Sequence, residues 1–347
     1  MKKIGILTGG GDAPGLNAVI RSVVLACDNE LGLEVVGIRD GFGGFAEGDA
    51  GLMRLDRAAV RGILWRGGSI LGCNNRYRGE TSFFVERMQQ IGLDGLIVAG
   101  GDGTLTMAAE MCEHGASVVG VPKTIDNDVE GTDVTFGFDT AVTLVADMCS
   151  RLIDTAESHH RVMIAEVMGR NAGHIALHGA LAGSADIALI PEIPYRIEGV
   201  ADVVKGRAEI GRTYTLIVVA EGAVEAGGGV VLDRHRTSLA GREVLGGAGA
   251  LLAESLRAVV GHEVRALSLS HLQRGGAPTA FDRTLGTRMG VVAARGIAAG
   301  ETAVFTAYRN SKVRMAPISD AAGKTRRVKA DGRLVSAARA VGLAFGD

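Results

Sequence analysis

The chain has 347 residues, 47% hydrophobic and 22% charged, with a formal net charge of −2, which suits one large or two medium domains with a substantial core. That balance excludes extensive disorder and gives no general attraction to nucleic acid or a membrane surface, so any anion site has to be local. Cys27, Cys73, Cys112 and Cys149 lie far apart without CxxC spacing, which suggests neither a disulfide framework nor a zinc site and makes a reducing cytoplasm the expected compartment.

Residues 1–8 begin with basic side chains, but their apolar run is too short for the core of a signal peptide, and no stretch is long enough to span a bilayer. Lys3–Thr8 reads as a strand that runs into Gly9-Gly10-Gly11-Asp12-Ala13-Pro14-Gly15 and then a helix over 16–24. This turn lacks both the GxGxxG order of a dinucleotide fingerprint and the GK[ST] of a P-loop. A strand over 33–38 follows, and then a glycine-rich stretch over 66–76 with arginines at both ends. That stretch is either a nucleotide contact or a surface loop.

The next strand, 95–99, ends in Gly100-Gly101-Asp102-Gly103-Thr104 and a helix through Met111. Glycines at a helix start bring backbone N–H groups and the positive end of the helix dipole to one point, which suits phosphate. Asp102 would repel a phosphate unless a hard cation lay between them, so the pair implies Mg2+; the alternative is a tight turn with Asp102 as a capping acceptor. A short strand over 117–121 then delivers Pro122-Lys123-Thr124-Ile125-Asp126-Asn127-Asp128. One carboxylate there can take a proton from a hydroxyl nucleophile while the other binds metal or orients its neighbour, and Lys123 can neutralise a moving phosphoryl group. An Asx-rich capping turn is the plainer reading.

A helix over 139–155 buries Cys149 among apolar residues, and His159-His160-Arg161 precedes a strand over 162–167. The two histidines would point to opposite faces of a strand, which argues against a shared metal. After Met168-Gly169-Arg170, helical and strand-like stretches alternate over 172–220 and end at Glu221. Residues 227–229 and the polar stretch after them read as a mobile loop, 246–260 as a helix, and 264–270 as a strand before His271-Leu272-Gln273-Arg274-Gly275-Gly276. Arg265, His271 and Arg274 fit a phosphate clamp. The basic run 324–329 has no aromatic residues and reads as a solvated face.

The turns at 10–15 and 100–104, the 122–128 loop, Met168-Gly169-Arg170 and the 271–276 stretch, in this order, resemble the 6-phosphofructokinase family from residue 1 to about 320. The resemblance implies two interwoven three-layer α/β domains with mostly parallel sheets: 1–137 with 248–302 for ATP and Mg2+, and 138–247 with 303–347 for fructose 6-phosphate. It implies transfer of a phosphoryl group to the sugar 1-hydroxyl, with Asp126 as base, Asp102 serving Mg2+, and Thr124 and Asp128 lining the transfer site. Arg170 would stabilise the moving phosphoryl, Met168 and Gly169 would hold the sugar, and Glu221 its hydroxyls. His271 and Arg274 would grip the 6-phosphate, joined by Arg161 and Arg265 from a neighbouring subunit of a homodimer or homotetramer. Gly11, Gly101, Gly103 and Thr104 would lie along the donor, with Arg76 the nearest match to a donor-side arginine.

Two departures from the family pattern bear on function. Gly103 stands where pyrophosphate-restricted members carry Asp, leaving room for ATP, whereas Lys123 is the residue of the pyrophosphate branch. The mixture resembles the mixed-substrate subgroup, with ATP the expected donor and pyrophosphate the alternative. Of the cations at the family's effector site, Arg21 is matched while Leu25 and Ile153 replace others, so little response to ADP or phosphoenolpyruvate is expected. Lipid and NAD kinases share the GGDGT turn but lack the 124–128 and 271–276 motifs, and a non-catalytic sugar-phosphate regulator would not need the intact Asp102, Asp126, Asp128 and Arg170.

Overall fold

Unbroken apolar runs of strand length mark strands buried on both faces, as in a parallel sheet covered by helices. A computed structural model, which describes residues 1–74, 79–229, 232–237 and 243–347, builds the chain that way. The chain forms two compact units, Met1–Thr140 with Arg274–Arg326 and Ala141–Gln273 with Arg327–Asp347.

In the first unit, β1 (Lys3–Thr8), β2 (Glu34–Ile38), β3 (Leu52–Leu55), β4 (Gly95–Gly100) and β5 (Val118–Pro122) join two later strands in a seven-stranded sheet. With β12 at Val304–Arg309 and β13 at Lys312–Pro317, its order is β13-β12-β5-β4-β1-β2-β3, and only the edge strands β3 and β13 are antiparallel. Side chains alternate between faces: Ile97 and Ala99 of β4 enter one core, Leu96 and Val98 the other. The first core is completed by α1 (Leu16–Ala26) and a late helix at 280–298, the second by α2 (Thr81–Ile91) and α3 (Asp102–Glu113), giving three layers.

The second unit begins within α4 (Phe138–His159). Its parallel sheet runs β11-β6-β8-β7, from β6 (Arg161–Val167), β7 (Ile187–Leu189), β8 (Thr215–Ala220) and β11 (Glu263–Ser268). On one face, α6 (Ile197–Glu209) and α7 (Ala248–Arg257) bury Val200, Val204, Leu252 and Leu256 against Val162, Ile164, Ile217 and Val219. Elsewhere α4 meets α5 (His174–Ala182) and the residue after it closely: a Cβ on Gly179 would fall 2.4 Å from Val145, and one on Gly183 2.5 Å from Cys149. Cys149 is buried as expected, and that burial pushes its thiol up to about 11.

Several expectations differ from the structure. Residues 248–273, expected with the first domain, belong to the second unit, because α7 and β11 pack with β6. Residues 303–326, expected with the second, belong to the first, because β12 (Val304–Arg309) pairs with β5 and β13 (Lys312–Pro317) pairs with β12. Part of the polar stretch expected as a loop is an antiparallel pair, β9 (Leu232–Thr237) with β10 (Glu243–Leu245). His159 ends α4 rather than sitting on a strand, and His160 follows it with a φ of 55°. The chain closes with α8 (Ala280–Ala298) and α9 (Arg333–Ala340).

Candidate active site

In the first unit β1 has β2 on one side and β4 on the other, so the chain order reverses between β1 and β4. In open parallel sheets the crevice at the C-terminal ends of such a strand pair is where ligands bind. Both glycine turns leave from there, and the Gly9 N–H donates to the Ala99 carbonyl at 2.8 Å. Gly101 caps α3 and Asp102, its first residue, is exposed, as is Gly103. A Cβ on Gly103 would meet nothing within 4 Å. Thr104 is buried, and Cβ atoms on Gly9 and Gly100 would fall 2.7 and 2.3 Å from its side chain.

Two cations face the first turn. Lys123, buried at the end of β5, donates from Nζ to the Gly11 carbonyl, and burial with the nearby Arg274 pulls its pKa down to about 8 against the opposing effect of Cys73, Asp12 and Asp128. Arg274 donates from Nη1 to the Asp12 carbonyl at 3.0 Å, and a Cβ on Gly11 would meet its guanidinium at 2.9 Å. The backbone of this turn is therefore wrapped by positive charge on a net acidic chain, which meets the requirement for a local anion site.

The 124–128 loop is fixed by its own polar side chains. The Thr124 hydroxyl accepts from the Asp126 N–H at 3.1 Å and hydrogen-bonds the Asp128 carboxylate. Asn127 holds a left-handed φ of 54°, and its Oδ1 accepts from the Thr135 N–H at 3.0 Å. Thr135 donates its hydroxyl to the Thr124 carbonyl at 2.7 Å. Asp126 Oδ1 is buried and, among the described residues, has no hydrogen-bond partner. Burial first and Asp128 second push the Asp126 carboxyl up to about 7, against Arg274 and Lys123, and Asp128 is raised for similar reasons, with Asp102 contributing.

Asp128 raises the Asp126 carboxyl and is itself raised by Asp102, so negative charge gathers beside an oxygen that, among the described residues, lacks a partner, an arrangement a hard cation relieves. Among the described residues no group of three or more His, Cys, Asp or Glu side chains could hold a metal by itself. The donor set fits Mg2+ shared with phosphate oxygens and water, which is how that ion usually binds, rather than a protein cage.

In the second unit, Met168, Gly169 and Arg170 leave the C-terminal end of β6 beside Glu221 at the end of β8, where the Glu221 N–H donates to the Val167 carbonyl at 2.8 Å. Gly169 has a φ of 135°, and a Cβ on Gly222 would fall 2.1 Å from the Arg170 carbonyl oxygen, so this turn requires glycine at both places. Arg170 and His271 are exposed. Arg161 and Arg265 lie on the neighbouring strands β6 and β11, both hydrogen-bonded through Nε to Glu263, at 2.7 and 2.8 Å. Arg161 starts β6, roughly 20 Å along that strand from the end that leads to Arg170, and Arg265 lies opposite Met163 in the neighbouring strand. The structure therefore groups Met168, Gly169, Arg170 and Glu221, and sets Arg161 and Arg265 apart. Arg274 falls in the first unit, and Arg76 lies outside the described residues.

Sequence reasoning missed two braces of the second unit. Gln273, 1% exposed, accepts from the Met168 N–H at 3.3 Å and donates to the Ser270 carbonyl at 3.1 Å, joining the Met168 turn to the His271 turn. Glu192 accepts from the N–H groups of Gly173 at 3.0 Å and Val328 at 2.9 Å. The position of Gln273 inside the 271–276 stretch was its only signal; Glu192 had none.

The Phosphofructokinase family model matches residues 3–297. The chain is 47% identical to the ATP-dependent 6-phosphofructokinase of Chloroflexus aurantiacus, covering 100% of this chain and 98% of that protein. It is 46% identical to the pyrophosphate–fructose 6-phosphate 1-phosphotransferase of Amycolatopsis methanolica, over 94% and 96%. Among solved structures it resembles phosphofructokinase from Saccharomyces cerevisiae with a TM-score of 0.79 and 28% identity, over 92% of this chain and 45% of that one, so it spans less than half of the yeast chain.

Proposed function

The chain belongs to the phosphofructokinase family, and on that premise we propose that it transfers the γ-phosphoryl group of ATP to the 1-hydroxyl of fructose 6-phosphate, giving fructose 1,6-bisphosphate. The observation that carries this reading is the Asp126 carboxyl, with a buried oxygen lacking a partner and a pKa raised to about 7, on a loop beside a phosphate-suited glycine turn. A base with a pKa near the working pH is both available and strong enough to take the hydroxyl proton. Thr124 holds Asp126 and Asp128 in register for that transfer.

Phosphoryl transfer through a loose transition state needs positioning and charge neutralisation more than covalent chemistry. Lys123 supplies a fixed cation against the glycine turn, with Gly11, Gly101 and Gly103 giving the donor backbone to lie on. Asp102 would hold Mg2+ together with phosphate oxygens, and the ion would neutralise charge on the donor. Arg170 opposes the charge of the transferred group. Met168, Gly169 and Glu221 hold the sugar, His271 and Arg274 its 6-phosphate, and Arg76 the donor. Arg161 and Arg265 are assigned, as the family resemblance implies, to the phosphate held by a second copy in a homodimer or homotetramer, and their place outside the Arg170 turn of their own chain supports that assignment. Arg274 apart, the first unit binds the donor and the second the sugar phosphate. Unpaired cysteines support a cytoplasmic setting, and among the described residues no helix is long and apolar enough to cross a membrane.

Lys123 also favours a second reading, with pyrophosphate as donor, since a buried ammonium against the turn suits a compact anion. The test is the initial rate of fructose 1,6-bisphosphate formation with fructose 6-phosphate and Mg2+, comparing ATP and pyrophosphate at equal concentration. Turnover with ATP supports the first reading. Turnover with pyrophosphate alone replaces it by the second, and turnover with neither overturns both.

A further inference from the structure

The basic run 324–329 reads in sequence as a solvated face, yet part of it is bonded to the loop that carries Asp126. Val129 and Thr325 form an antiparallel bridge. The Arg326 backbone N–H donates to the Asp128 carbonyl at 2.7 Å, and its side-chain Nε donates to the Asn127 carbonyl at 3.1 Å. The side chain is partly buried, and Asp128, Glu130 and Asp133 oppose the loss of its charge that burial favours.

Asn127 is the residue that needs holding. A left-handed backbone is uncommon outside glycine; asparagine tolerates it better than most residues, and the bonds around it hold one such conformation in place. Thr135 supplies those bonds through the Asn127 side chain, and Arg326 supplies the bond to its carbonyl. We propose that Arg326 is a positioning residue for the phosphoryl transfer: its guanidinium fixes the Asn127–Asp128 backbone and so the direction in which Asp126 is presented. This rests on the role given to Asp126 above. The plainer alternative is that the backbone bridge alone holds the loop and the side chain at 326 is immaterial. A displacement of about 1 Å in a catalytic group can cost about 100-fold in rate, so the two alternatives are far apart in turnover.

The experiment compares the full-length wild type with Arg326→Met, which keeps the bridge and the aliphatic stem, and Arg326→Lys, which keeps a cationic donor. Arg326→Met is expected to lower kcat by about 10- to 100-fold with KM for ATP and fructose 6-phosphate within about threefold. It should also speed amide hydrogen exchange across 124–135 while leaving β1 and β4 unchanged. Arg326→Lys should recover most of the lost kcat. Wild-type kcat and exchange in Arg326→Met would overturn the proposal, as would equal loss in both variants with faster exchange throughout the unit. If the wild type itself turns over neither donor, the functional reading fails, while exchange across 124–135 still decides whether the side chain holds the loop.

Discussion

Replacing Gly103 by Asp separates folding from donor choice. Position 103 is the second residue of α3, a Cβ there meets nothing within 4 Å, and the residue is exposed, so the new side chain has room. Losing a glycine stabilises by about 0.4–1 kcal/mol through the unfolded chain, and a carboxylate in the first turn of a helix by about 0.3–1 kcal/mol, part of which the adjacent Asp102 takes back. The fold should therefore be kept or slightly strengthened. Donor binding should suffer, because the carboxylate enters the space beside the turn where a nucleotide's phosphates would lie. One unit charge about 4 Å from another at an effective dielectric near 20 costs about 4 kcal/mol, which is close to 10³-fold in kcat/KM for ATP. Pyrophosphate, with only two phosphoryl groups, has nothing at the place of the nucleotide's α-phosphate and should lose no more than about 10-fold. The assay is kcat/KM for each donor beside a thermal melt. Gly103→Asp that keeps its ATP kcat/KM within about threefold refutes the crowding argument. Equal loss with both donors refutes it too, since the effect would then be general to phosphate.

The remaining expectations concern the base, its pH dependence and regulation. Asp126→Asn should lower kcat by about 10²–10⁴-fold, and its melting temperature at pH 8 should not fall, because the change removes a buried charge rather than a bonded one; near-normal kcat in folded protein sinks the base assignment. The pH profile of kcat/KM should rise through about 7 as Asp126 ionises and fall above about 8 as Lys123 loses its proton. The signs follow from burial, which raises a carboxyl and lowers an ammonium; a profile flat between pH 6 and 9 contradicts both assignments. Fructose 6-phosphate saturation should be insensitive to ADP and phosphoenolpyruvate, since Leu25 and Ile153 offer an anion no charge; sigmoidal curves relieved by ADP would contradict that.

What the sequence made legible was local in the chain. The two glycine turns, the strands before them and the 122–128 loop are each written within about ten residues, and apolar runs buried on both faces leave little ambiguity about a parallel sheet. The helix α8 gives no such signal, because its surface is made for close approach rather than for an apolar stripe. A Cβ on Gly290 would fall 2.1 Å from the Ser22 hydroxyl of α1, and one on Gly286 3.0 Å from the Gly15 carbonyl. Glycines that in isolation weaken a helix here let two helices touch. Domain membership departs from the sequence expectation for the same kind of reason: β12 joins β5 by pairing Val304 with Val119, a partnership that nothing near either residue encodes.

The site divides along the same line. Asp126 and Lys123 stand out in the sequence by type and place, whereas the groups bonded around them are distant in sequence and ordinary in character. Thr135 hydrogen-bonds Asn127 and Thr124 from beyond the loop, and Arg274 reaches the Asp12 carbonyl across 262 positions. Arg326 lay in a run whose composition argued for solvent, because charge counting registers how many cations a stretch holds and not which carbonyls face them. A reactive carboxylate advertises itself by the company of other polar residues, but its orientation is set by backbone carbonyls, which every residue has and no sequence distinguishes. That is why candidate groups of this chain stand out in the sequence, whereas the bonds made by Arg326, Gln273 and Glu192 appear only in the fold.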